Sequence, residues 1–159
     1  MILQKVFDLE TFTHSDTAKA KKIDNTQMTN EQLESLTKLH LLLIEIRDRL
    51  SNKYSKPINI EISSGFRSVE LNKAVKGSTT SQHCKGEAVD TIALSLTIDQ
   101  YFNDLKELAN KGTIKFGQVI KEQVNGKQWV HISLPREAKK NNNFMATKDG
   151  INYESIPLA

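Results

Sequence analysis

Between Thr29 and Leu50, apolar residues recur every three or four positions, at Leu33, Leu36, Leu39, Leu43, Ile46 and Leu50. This period predicts a helix that buries one face. Asn30, followed by Glu31 and Gln32, reads as its cap, and Pro57 forbids continuation beyond SNKYSKP. A shorter helix is expected over Ser15 to Lys22, opened by Ser15 or Asp16, with Asp24 to Met28 as a connecting loop. The period then changes. Ile58 to Ser64 alternates apolar and polar residues, the mark of a strand with one buried face, and Gly65 breaks it. Ser68 to Val75 predicts a short helix, and the Gly-, Ser- and Thr-rich stretch from Lys76 to Ala88 predicts a loop.

The second half reads as strand, helix and strands. AVDTIAL (Ala88 to Leu94) is a strand, and LTIDQYFNDLKELANKG is a helix capped at Thr97 or Asp99 and closed by Gly112. Phe116 to Glu122 and Gln128 to Leu134 form two strands joined at Asn125-Gly126, a pair that favours tight hairpins. NFMATKDGINYESI suggests another hairpin around Asp149-Gly150. Helices first and a run of strands last predict an α+β protein, with N-terminal helices packed on an antiparallel sheet rather than βαβ crossovers.

Composition narrows the functional classes. The 159 residues suit one domain, residues 1–159, able to bury its own core. Lys and Arg total 22 against 19 for Asp and Glu, with signs interleaved, too small a surplus for a nucleic-acid partner. From Lys111 onward the chain is more basic, which reads as solvated surface lysines. A single cysteine, Cys84, excludes an internal disulfide. The opening MILQKVFDLETF lacks the basic and apolar regions of an export signal, and no segment reaches the roughly 18 apolar residues that span a bilayer. The expectation is a chain made in the cytoplasm without a membrane segment, with a monomer as its default state.

Two residues sit oddly in this pattern. Asp90 lies within the apolar strand AVDTIAL, and His131 within WVHISL. A carboxylate on a buried strand costs several kcal/mol unless it is paired or metal-bound. With His83, seven positions before Asp90, they make two histidines and a carboxylate, a ligand set of catalytic zinc sites. On spacing alone, hydrogen-bonded core or surface residues are the commoner explanation of such positions.

The wider context bears on that choice. SGFRSVELNKAVKGSTTSQHCKGEAVD (Ser64 to Asp90) and QWVHIS (Gln128 to Ser133) resemble the zinc D-Ala-D-Ala carboxypeptidase family, of hedgehog/DD-peptidase fold, which includes peptidoglycan endopeptidases. KKIDNTQ before the long helix fits the same pattern, so the resemblance runs from about Phe7 to Leu134. It implies a Zn²⁺ held by His83, Asp90 and His131. Arg67 of SGFRS resembles the arginine that relatives place near the metal to hold a substrate carboxylate or carbonyl, and a loop-bracing arginine is the alternative. Ser81 and Gln82 resemble the polar neighbours of the first ligand, which orient His83 or contact substrate, and plain loop residues without such a role are the alternative.

The sequence departs from the family at the general base. Many relatives carry an acid three positions before the last histidine, where this chain has Gln128. Glu122 is the substitute, because the Asn-Gly hairpin brings it opposite the His131 strand; an exposed strand-end glutamate is the competing reading. Glu87 is a weaker candidate. Cys84 lacks the partners of a nucleophile, His14 and His40 read as structural, and Trp129 as a core or cleft residue. The resemblance thus implies a metallopeptidase acting on D-amino-acid-containing stem peptides of peptidoglycan, phage, prophage or bacterial, delivered to the wall by another route. Two alternatives are a non-catalytic peptidoglycan-binding module and a phage structural protein retaining the fold.

Overall fold

Residues 8–158 are described by the structure, a computed structural model. The opening MILQKVF, read above for an export signal and for the start of the resemblance at Phe7, lies outside them. None of the described helices is long and apolar enough to cross a membrane.

The long helix is present as α3 (Asn30–Tyr54), after α1 (Leu9–Thr13) and α2 (Asp16–Lys21). Thr29, not Asn30, caps α3: its hydroxyl accepts from the Gln32 N–H while the Gln32 side chain accepts from the Thr29 N–H, a reciprocal capping box. Leu36, Leu39, Leu43, Ile46 and Leu50 are buried as their period requires, and Leu33 is exposed near the helix start. Helix α1, capped by Asp8, is too short to show a period and was not foreseen.

The strands follow as β1 (Ile60–Ser64), β2 (Ala88–Ala93), β3 (Gln118–Val124), β4 (Lys127–Ser133), β5 (Asn143–Thr147) and β6 (Glu154–Ser155). Helix α4 (Val69–Ala74) follows β1 and α5 (Ile98–Asn110) follows β2, capped by Ser68 and Thr97 respectively. The expected loop from Lys76 to Ala88 contains a 3₁₀ turn, Gln82–Lys85, closed by Gly86 at φ +70°.

One six-stranded sheet runs in the order β1-β2-β4-β3-β5-β6. It is not wholly antiparallel as expected: β3 and β5 are parallel, from Gln118 beside Asn143 to Glu122 beside Thr147. The hairpin explains this. Strand β4 returns along β3 and ends where β3 begins, so a short loop can carry the chain to the free edge of β3 and launch it in the same direction. The Phe116 N–H donates to Asn142 Oδ1, and the Asn142 and Asn143 N–H groups donate to the carbonyls of Phe116 and Gly117, fixing that start.

Alternation gives the sheet two unlike faces. Val89, Ala93, Val130, Ile132, Val119 and Phe144 point to one side and join the helical residues in one hydrophobic cluster. Helix α5 covers that side, with Tyr101 bonded to Thr91 Oγ1 at 2.9 Å and Phe102 edge-on to Phe144. The opposite side carries a transverse row, since Ser64 pairs with Asp90, Asp90 with His131, His131 with Ile120, and Ile120 with Met145. A bulge between Ile62 and Ser64 shifts the register of β1 and turns Ser64 into that row.

Candidate metal centre and cleft

His83 reaches the row from above the sheet, on the 3₁₀ turn between α4 and β2. The Gln32 Nε2–H donates to the Cys84 carbonyl at 2.9 Å, tying the turn to the start of α3. His83 Nδ1 lies 2.8 Å from the Gly65 carbonyl. A carbonyl only accepts, so Nδ1 is the donor there and Nε2 is the nitrogen turned toward Asp90. Gly65 is fixed in turn by close packing: a Cβ there would lie 2.4 Å from the Phe12 carbonyl oxygen.

Asp90 Oδ1 lies 3.4 Å from His83 Nε2 and 3.1 Å from His131 Nδ1. All three side chains are buried, and their donor atoms lie within 4.8 Å of one another. Burial pushes the Asp90 carboxyl up, but the charges and hydrogen bonds of His83 and His131 outweigh it and hold the group well below the usual carboxylate range. Two imidazole nitrogens and one anionic oxygen, pre-assembled on rigid elements with one nitrogen's tautomer fixed, fit a divalent metal of the zinc type.

Arg67 lies beside this group. Its Nη2 stands 3.5 Å from Asp90 Oδ2, and its Nε and Nη2 donate to Ser64 Oγ. Ser81 and Gln82 line the same cleft, which encloses about 790 Å³. Glu122 lines it too, two positions along β3 from the residue opposite His131, and paired with Trp129. Asn125 and Gly126, at φ +52° and +77°, make the tight turn that sets this register. Burial raises the Glu122 pKa, with the Asp90 charge adding to the effect; His131, the Trp129 indole and Arg67 pull the other way.

The remaining sequence candidates fall elsewhere. Gln128 and His131 are an odd number of residues apart on a regular strand, so they point to opposite faces, and Gln128 is exposed outside the cleft. The Glu87 carboxylate accepts from Arg136 Nε and Nη2 at 2.9 and 2.6 Å, which makes it a brace rather than a base. Burial raises the Cys84 thiol pKa, the opposite of an activated nucleophile. His14 pairs with Asp16 at the surface, and His40 packs against Phe12 in the core.

Sequence reasoning missed several residues that build the site. The Asn25 side chain donates to the Thr13 and Phe66 carbonyls and accepts from the Ser68 N–H, joining α1, the loop carrying Arg67 and the start of α4. Its signal, one Asn in a polar loop, has no periodicity. Arg136, Asn143 and Tyr153 line the cleft from the C-terminal segment, where no motif drew attention.

Comparison with known proteins agrees with this geometry. A family model described as Peptidase M15 matches residues 5–133, which include Arg67 and all three members of the donor set. The search of curated proteins returns no match. Because the family match spans most of the sequence and ends on the last residue of the strand that carries His131, the chain belongs to the M15 peptidases, the zinc D-Ala-D-Ala carboxypeptidase family that its motifs resemble.

Proposed function

We propose that the protein is a zinc-dependent hydrolase of D-amino-acid-containing peptide bonds in bacterial peptidoglycan, with the cell wall as its place of action. The observation that carries this reading is the meeting of the His83, Asp90 and His131 donor set with Glu122 and Arg67 in one cleft. A pocket of about 790 Å³ accommodates several residues of an extended peptide.

On this reading, His83, Asp90 and His131 hold Zn²⁺, which when bound supplies Lewis acidity that polarises a peptide carbonyl and makes water more acidic. Glu122 takes a proton from the attacking water and delivers it to the departing amine nitrogen. The planar guanidinium of Arg67 holds a substrate carboxylate or carbonyl, while Ser81 and Gln82 contact the peptide from the ligand-bearing turn.

The test is zinc analysis of the purified protein, with mass spectrometry of products released from peptidoglycan, for wild type and Glu122→Gln. Stoichiometric zinc in both, with the rate in the variant lower by about 10² to 10⁴, is the expected result. The product mass names the bond cut. Zinc in the wild type without any product points instead to a binding module, and absence of zinc overturns the reading.

A further inference from the structure

The family match stops at residue 133, yet much of one cleft wall is made by residues beyond it. That wall is built rather than loose. The Leu134 N–H donates to the Glu87 carbonyl, Arg136 grips the Glu87 side chain, and the Asn141 amide bonds both the N–H and the carbonyl of Arg136. The loop is thereby locked to the turn between His83 and Asp90. It carries Lys139 and Lys140 along the cleft.

These two lysines differ from the other cations there. Arg67 faces Asp90 and Arg136 faces Glu87, whereas Lys139 and Lys140 make no ion pair among the described residues. They also lie at one end of a polarised cleft. Along the strands, Glu122 and Trp129 lie to one side of the His131 row, while Gln118, Ser133 and Asn143 lie to the other, toward the basic loop. A step of two residues along a strand is roughly 7 Å. An anionic group seated at the loop end of the cleft is therefore at least one such step along the strands from the donor set.

We propose that Lys139 and Lys140 form a carboxylate-accepting subsite, which selects and orients peptides bearing a free carboxylate a few residues from the bond to be cut. This rests on the peptidase reading for the identity of the ligand as a peptide. Neither lysine is a member of the donor set, and both belong to a segment outside the family match.

Trp129 is the sole tryptophan and lines the cleft, so its fluorescence reports occupancy. The probes are the stem peptide L-Ala-D-Glu-L-Lys-D-Ala-D-Ala and the same peptide with both carboxylates as carboxamides. They are titrated into zinc-loaded full-length protein in the Glu122→Gln background, which removes turnover on the reading above. Lys139→Gln/Lys140→Gln is expected to weaken binding of the free-acid peptide by roughly 3- to 10-fold and to leave the amidated peptide unaffected. The loss should shrink at high salt as screening rises. Lys19→Gln/Lys38→Gln, with the same charge change on exposed helix positions, should alter neither. Equal loss for both peptides, no loss, or no binding of either overturns the subsite. Peptidoglycan hydrolysis by the zinc-loaded wild type, run alongside, reports on the peptidase reading alone: hydrolysis without carboxylate preference rejects only the subsite.

Discussion

The two faces of the sheet obey opposite rules although they share every strand. On the helix-covered face, Val89, Val130 and Ile132 are fully buried among apolar neighbours, and their contribution is hydrophobic and insensitive to direction. On the cleft face, Asp90 and His131 are nearly as buried but polar, and each is tolerable only because partners meet it at hydrogen-bonding range. The period-2 alternation of β4 puts both kinds of residue next to each other in sequence. One face holds the fold together; the other stores a desolvated charge cluster that a metal fits. Stability and function should therefore separate at adjacent positions.

His131 and Ile132 give the sharpest division. His131→Ala should abolish zinc retention and hydrolysis, because it removes one of three donors, while the metal-free protein loses less stability than with Ile132→Ala, since His83 and Arg67 still face Asp90. Ile132→Ala should destabilise by about 2–5 kcal/mol through lost burial and a cavity, yet bind zinc stoichiometrically below its melting temperature. Metal analysis and denaturant unfolding of the two variants measure both axes. The comparison breaks if Ile132→Ala loses zinc while still folded, or if His131→Ala unfolds as readily as Ile132→Ala.

The helix-covered face was also the more legible in sequence. Leu36, Leu39, Leu43, Ile46 and Leu50 announce α3 because burial imposes a period, and Asn125-Gly126 announces the β3–β4 turn because few dipeptides adopt positive φ twice. Asp90 and His131 stood out only as polar intrusions in apolar strands, and motif resemblance gave them a role. What stayed hidden depends on distant meetings. The parallel pairing of β3 with β5 follows from where β4 ends, which no local pattern encodes. The 3₁₀ turn under His83 depends on Gln32 and Gly86, and Asn25 acts through three contacts with segments far apart in the chain. Position 128 drew attention through the family pattern, but strand alternation puts it on the wrong face for the cleft.

Next in expected size is a position where the two sides of the comparison meet. Gly65 packs against the Phe12 backbone on the α1 side and offers its carbonyl to His83 on the cleft side. Gly65→Ala forces the loop away from α1, at a cost of about 1–3 kcal/mol for overpacking. Moving the carbonyl that fixes the His83 tautomer should also weaken zinc binding by about 10- to 100-fold. Competition with a chelator and thermal melts check the two effects. Unchanged zinc affinity with reduced stability would show that Gly65 serves packing alone. Asn25→Ala should act in the same direction, reducing stability by about 1–3 kcal/mol through buried groups left unpaired.

The smallest expected effect lies on the helix side, where Glu107 of α5 accepts from Lys111 and from Lys53 of α3. The hydrogen bond from Lys111, followed by that from Lys53, lowers the Glu107 pKa from 4.5 to about 2. A carboxyl with a depressed folded-state pKa stabilises the fold above its unfolded pKa, and that contribution is lost as pH falls through the folded value. The difference in melting temperature between wild type and Glu107→Gln should thus be present at neutral pH and shrink between pH 4.5 and 2. Because this side chain is on the surface, salt should diminish the difference too. Zinc affinity at neutral pH should be the same in both proteins, since α5 lies across the sheet from the donor set. A change in zinc affinity would mean that the two faces are coupled through the strands, and the separation drawn from His131 and Ile132 would not extend to the helices.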